Sequence, residues 1–174
     1  MSPAQLSALV RDIPGFPTPE VVFKDITPVL ADAAALRAAV ELIAAPFRSA
    51  GVTTVAGIEA RGFVLAPPVA LELGAGFVPL RKQGKLPYHT RRDEYELEYG
   101  TDVLEIHEDA AGPDDRVLLV DDVIATGGTA GAAVRLIRGL GAELVGVAVL
   151  IELAFLNGRD SLDDVDLHAV VTYA

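Results

Sequence analysis

Four continuous apolar runs, at 53–58, 76–80, 117–120 and 143–151, alternate with stretches whose apolar residues recur every three or four positions. Runs without polar alternation read as strands buried on both faces, and the intervening periodicity reads as amphipathic helix. Beyond Asp32, a candidate N-cap, Leu36, Val40, Ile43 and Phe47 mark one helical face, and Pro46 should kink or end that helix. A second helix follows the turn Glu59-Ala60-Arg61-Gly62 and reaches Leu73, where Gly74 stops it. A third runs from Thr129 to Leu140, with Ala133, Leu136, Ile137 and Leu140 inward. Ahead of these, Ser2-Pro3 opens a short capped helix, and Pro14, Pro17 and Pro19 lead in extended form to Val21-Val22-Phe23.

This alternation implies an α/β fold, a doubly wound and mainly parallel sheet flanked by helices, with ligands at the carboxyl ends of the strands. One segment departs from it. Tyr95, Leu97 and Tyr99 alternate with acids and are followed by Val103, Leu104 and Ile106, so an antiparallel hairpin is expected to project from the sheet around Gly100-Thr101. Neither a repeat nor a linker interrupts the sequence, and residues 1–174 are read as a single domain.

Charge narrows the choice of partner. Fourteen Lys and Arg stand against 25 Asp and Glu, a net charge of −11, which argues against nucleic acid and anionic membrane as partners. The cations are unevenly spread, for residues 81–92 hold Arg81, Lys82, Lys85, Arg91 and Arg92 and no acid. Cysteine is absent, excluding disulfides, thiolate metal sites and cysteine nucleophiles. The longest strongly apolar run, Leu144 to Ile151, has eight residues, far below the roughly 20 of a membrane helix. The first residues lack the basic start and apolar block of a signal peptide, so a cytoplasmic protein is expected. His89, His107 and His168 have no metal-binding spacing.

The richest chemistry lies in the run from Val117 to Thr129, where a buried strand meets Asp121 and Asp122, then Ala125-Thr126-Gly127-Gly128-Thr129, and then a helix. Backbone N–H groups of such a loop face outward at the positive end of the helix dipole and suit a phosphate. The small residues allow close approach, and Thr126 and Thr129 add hydroxyl donors. Gly128 is followed by threonine rather than lysine, and the glycines are adjacent, so neither the Walker loop nor the Rossmann fingerprint applies. Two carboxylates beside a phosphate need another partner, and ribose hydroxyls suit acceptor-only groups. The spacing therefore fits a ribose 5-phosphate.

Here the chain resembles the type I phosphoribosyltransferases, whose signature is a hydrophobic strand, two acids and a Thr-Gly-Gly-Thr-type loop. The resemblance narrows to the adenine branch through Phe16-Pro17-Thr18-Pro19 with Val22-Phe23-Lys24-Asp25-Ile26, Ile58-Glu59-Ala60-Arg61-Gly62-Phe63, Arg81-Lys82-Gln83-Gly84-Lys85-Leu86-Pro87 and Leu97-Glu98-Tyr99-Gly100. It implies the type I phosphoribosyltransferase fold, with an N-terminal hood at 1–31, a flexible loop and hairpin at 82–107, and a homodimer. The implied reaction turns adenine and 5-phosphoribosyl 1-pyrophosphate into AMP and pyrophosphate with Mg²⁺, which is held mainly through substrate. By the same resemblance, residues 125 to 129 hold the 5′-phosphate, Asp121 and Asp122 the ribose hydroxyls, and Arg61, Arg81, Lys82 and Lys85 the pyrophosphate. Val22, Phe23 and Lys24 match the adenine-reading hood, mainly through its backbone, although several relatives carry arginine where Lys24 stands. Glu98 matches the loop acid that handles the adenine proton, Arg61 serves catalysis as well, and Tyr99 helps close the site. The alternatives are another purine base, or a non-catalytic regulator that senses phosphoribosyl pyrophosphate.

Overall fold

The apolar runs form the centre of a seven-stranded sheet in a computed structural model that describes residues 1–96, 100–162 and 164–174, with Glu96 described by its backbone alone. Strands β3 (Thr54–Ile58), β4 (Gly76–Lys82), β7 (Arg116–Ile124), β8 (Glu143–Leu153) and β9 (Leu167–Tyr173) run parallel, and the antiparallel pair β5 (Thr90–Glu96) and β6 (Thr101–His107) completes one edge. Their spatial order is β5-β6-β4-β3-β7-β8-β9. The expected hairpin thus begins at Thr90, and β6 is stitched to β4 where Arg81 faces Glu105 and Lys82 faces Leu104.

Side chains on a strand alternate between faces, so the sheet has two cores. Leu118, Val120, Ala148 and Leu150 meet α3 (Ala33–Ala44) and α4 (Gly62–Leu73) on one face. On the other, Val117, Leu119, Val147 and Val149 meet α5 (Gly128–Gly139). Asp32 caps α3 by accepting from the Ala34 and Ala35 amides at 2.9 and 2.8 Å, and the helix gives way to a 3-10 turn at Ala45–Phe47, around Pro46. Gly74, at φ 68°, ends α4 in the left-handed conformation that glycine adopts without steric cost.

The N-terminal segment stands apart from the main sheet. After α1 (Pro3–Ser7), which Ser2 and Gln5 cap reciprocally, β1 (Arg11–Pro14) and β2 (Val22–Asp25) pair as an antiparallel ribbon, and α2 (Thr27–Ala31) leads into α3. The chain passes from β3 to β4 on one side, while β7 lies on the other side of β3. Strand order therefore reverses between β3 and β7, and the crevice at their carboxyl ends is where such sheets bind ligands.

Candidate active site

Two loops leave the sheet at this reversal, one from Ile58 and one from β7. Together with the strand ends they enclose a cavity of about 400 Å³ that brings Arg61, Lys82, Asp121, Asp122 and the whole 125–129 segment to one place. The acids are not in the loop, since β7 continues through them to Ile124, held by its parallel register with β8 as far as Glu152. A strand is a stiffer mount than a loop, and it fixes both carboxylates relative to the sheet.

Asp122 is 4% exposed, and its Oδ2 stands 2.5 Å from Arg61 Nε. The Asp121 carboxylate accepts from the Asp122 amide at 2.8 Å. Burial, reinforced by the neighbouring Asp122 charge, pushes the Asp121 carboxyl well above the usual carboxylate range. Gly62 completes the packing, because a Cβ there would stand 2.9 Å from Asp121 Oδ1. Glu59-Ala60, just before Arg61, is a cis peptide bond.

The 125–129 segment turns into α5 at Gly127, whose φ of 83° requires glycine. No side chain caps this end of α5 among the described residues, so its first amides remain available to an anion.

The cations and the hood are arranged less simply than the sequence implies. Lys82 Nζ lines the cavity but also donates to Tyr95 Oη and Asp102. Burial lowers its basicity, yet these two partners outweigh that and leave its pKa raised. Arg81 turns to Glu59, with Nε 2.6 Å from Oε2, and Lys85 is exposed outside the cavity lining. Lys24 directs its ammonium to Asp12 at 2.6 Å and over the Tyr173 ring at 4.1 Å, which leaves its backbone for any ligand. Phe23 stands against Arg61, whose guanidinium is 4.7 Å from its ring centroid, with Phe16 edge-on at 5.2 Å. Val22 is exposed and, like Phe23 and Lys24, lies outside the cavity lining. Glu98 and Tyr99 lie outside the described residues.

Sequence reasoning missed the support behind the loop. A 3-10 turn at Gly158–Leu162 packs against it, and Ser161 Oγ donates to the Thr126 carbonyl at 2.9 Å. The one signal in the sequence is Asn157-Gly158, a turn dipeptide preceding an otherwise polar stretch.

A doubly wound sheet carrying paired acids and an uncapped glycine cradle at its reversal is the arrangement that the resemblance to the phosphoribosyltransferases implies. Residues 29–172 match the family model for the phosphoribosyl transferase domain. The adenine phosphoribosyltransferase of Thermobifida fusca is 58% identical over 163 residues, 94% of this chain and 93% of that one. The crystal structure of adenine phosphoribosyltransferase from Rhodothermus marinus superposes with a TM-score of 0.95 at 52% identity, covering 98% of each chain. The Saccharomyces cerevisiae enzyme, complexed with adenine and an imino-altritol 1,6-bisphosphate, gives a TM-score of 0.92 at 35% identity over 97% of each chain. The chain belongs to the phosphoribosyl transferase family, within its adenine phosphoribosyltransferases.

Proposed function

We propose that the chain transfers the 5-phosphoribosyl group of 5-phosphoribosyl 1-pyrophosphate to adenine, giving AMP and pyrophosphate in purine salvage. The observation that carries this reading is the single cavity in which Asp121, Asp122, Arg61 and the 125–129 cradle converge. In the transfer the C1′–oxygen bond to pyrophosphate breaks, the bond from C1′ to the adenine nitrogen forms, and that nitrogen loses its proton. A ribosyl cation-like transition state calls for charge stabilisation more than for a strong nucleophile.

The amides of 127–129 and the hydroxyls of Thr126 and Thr129 hold the 5′-phosphate, while Asp121 and Asp122 accept from the ribose hydroxyls. Arg61 meets the leaving pyrophosphate and also pairs with Asp122. Lys82 lines the same cavity, and Arg81 and Lys85, outside that lining, join the cationic side on the strength of the Arg81-to-Pro87 motif. Val22, Phe23 and the Lys24 backbone form the adenine side, with Phe23 now under the Arg61 guanidinium. Glu98 takes the adenine proton and Tyr99 helps exclude water, roles that rest on the Leu97-to-Gly100 motif.

Mg²⁺ fits the donor set. Among the described residues no three His, Asp or Glu side chains converge as a metal cage, so the ion would be held mainly by substrate oxygens, with Asp121 and Asp122 the hard-oxygen side chains nearest to hand. When bound, it neutralises the leaving pyrophosphate. The family resemblance extends this reading to a cytoplasmic homodimer, for which sedimentation should return the mass of two chains. No described helix is long and apolar enough to cross a bilayer.

A panel of purine bases, offered with phosphoribosyl pyrophosphate and Mg²⁺ while pyrophosphate release is followed, tests the reading. Turnover with adenine is expected to exceed that with hypoxanthine or xanthine. Tight binding of the sugar substrate without turnover on adenine would instead make the chain a sensor.

A further inference from the structure

Three close approaches join the phosphate cradle to a segment with no assigned role. A Cβ on Gly127 would fall inside the Gly158 carbonyl, and one on Gly158 would fall inside the Ala125 carbonyl. On the next turn of α5, a Cβ on Gly131 would stand 2.8 Å from the Ser161 carbonyl. These are backbone-to-backbone contacts, which cannot be relieved by a side-chain rotation. The Ser161 hydroxyl adds a hydrogen bond to the Thr126 carbonyl at 2.9 Å. Residues 158–161 therefore press against the cradle at Ala125, Thr126 and Gly127, and against α5 at Gly131.

That strip is itself anchored. Glu152, 4% exposed at the end of β8, accepts from Arg159 Nε at 2.5 Å and from its terminal nitrogen at 2.8 Å, a two-pronged pair. Arg159 also donates to the Leu167 carbonyl at 3.0 Å, which ties the strip to β9. The cradle's amides can address a phosphate only if the loop keeps its curvature, and nothing within the loop caps or cross-links it. Its shape is set from behind.

We propose that Gly158 and Ser161 are positioning residues for the 5′-phosphate, acting as a backplate that Glu152 and Arg159 lock to the sheet. This rests on the reading of 125–129 as the phosphate cradle. Gly158 has no positive φ, so alanine there leaves its own backbone unstrained and acts mainly through the Ala125 carbonyl, with the Ile124 side chain the next atom met at 3.0 Å.

The test is steady-state kinetics of the full chain carrying Gly158→Ala or Ser161→Ala, with calorimetric binding of AMP and adenosine alongside. Gly158→Ala should raise KM for phosphoribosyl pyrophosphate at least about tenfold, and Ser161→Ala about fivefold, the equivalent of one hydrogen bond. In both, KM for adenine and kcat should stay within about twofold, because binding shared by ground and transition states is what is lost. AMP should weaken in parallel and adenosine should not. If Gly158→Ala fails to fold, the exposed Ser161 hydroxyl carries the test alone. Thr129→Val, inside the cradle, separates the two ideas. If it raises KM for the sugar substrate while both rear variants leave that constant and AMP affinity unchanged, the backplate is overturned and the cradle stands. If all three variants leave them unchanged, the cradle reading falls as well.

Discussion

Asp121 is held in a state that costs stability. Its raised pKa means that the native chain retains a proton where the unfolded chain has released it. Native-state proton excess makes stability decline as pH rises from the usual carboxylate range through the raised value. Asn at this position keeps the acceptor for the Asp122 amide but cannot ionise. Asp121→Asn should therefore stabilise the fold at pH 7 by ~1 kcal/mol, a rise of roughly 2–4 °C in Tm for a chain of this length, and the gain should vanish in acid. The same variant should raise KM for phosphoribosyl pyrophosphate about fivefold, because one hydrogen bond from a ribose hydroxyl is lost when an amide nitrogen replaces a carboxyl oxygen. Thermal unfolding across pH, paired with kinetics, checks both, and a variant that is less stable at pH 7 would refute the assigned proton balance. Asp122 differs in its partner, the Arg61 guanidinium 2.5 Å from its Oδ2.

Among the elements, α4 shows how closely the site depends on packing. Gly57 lies in the fully buried β3, and a Cβ there would approach Ala66 on α4 to 2.6 Å and the Phe77 ring to 3.0 Å. The missing side chain is what lets α4 sit down on the sheet with Arg61 and Gly62 at its start. Gly57→Ala should destabilise the protein by about 1–3 kcal/mol and raise KM for the sugar substrate, measured by chemical denaturation and initial rates. An undisturbed denaturation midpoint would show that α4 can shift freely. Elements with a strong periodicity are legible in the sequence itself: β3, β7 and β8 as unbroken apolar runs, α3 and α5 by their spacing and caps, and with them the acids and the cradle. β1 is not, because all four of its residues are exposed and leave no burial pattern to read. β9 is hidden behind the polar stretch at 157–166, and its pairing with β8 supplies the order that its own sequence does not. The rear of the cradle is illegible for a different reason, since contacts between backbones leave almost no mark on residue type beyond a glycine. The basic stretch 81–92 is divided by the fold: Lys82 lines the cavity while also pairing with Asp102, and Arg81 and Arg91 go to Glu59 and the Gly139 carbonyl.

For the molecule as a whole, the N-terminal segment packs into the main core through Leu6, Ile26 and Val29, and its β1–β2 ribbon adds two ring contacts. Phe23 lies under Arg61, and on the other flank Lys24 covers the Tyr173 ring, whose hydroxyl is 3.1 Å from Ser7 Oγ. The second contact carries no chemistry of its own, yet it fixes the angle at which the ribbon leans over the adenine side. A cation–π contact and one hydrogen bond together contribute about 1–2 kcal/mol. Tyr173→Ala should thus raise KM for adenine roughly fivefold to tenfold while KM for phosphoribosyl pyrophosphate holds, and equal changes in both constants would disconnect Tyr173 from the hood. Tyr173 lies on β9 and the ribbon it steadies lies ahead of β3, so two groups remote in sequence meet on a flank away from the cavity. The cradle and its acids are mounted on β3, β7 and β8 instead. Affinity for the base and affinity for the sugar are then separable, and a chain truncated before residue 173 should retain the sugar substrate better than adenine.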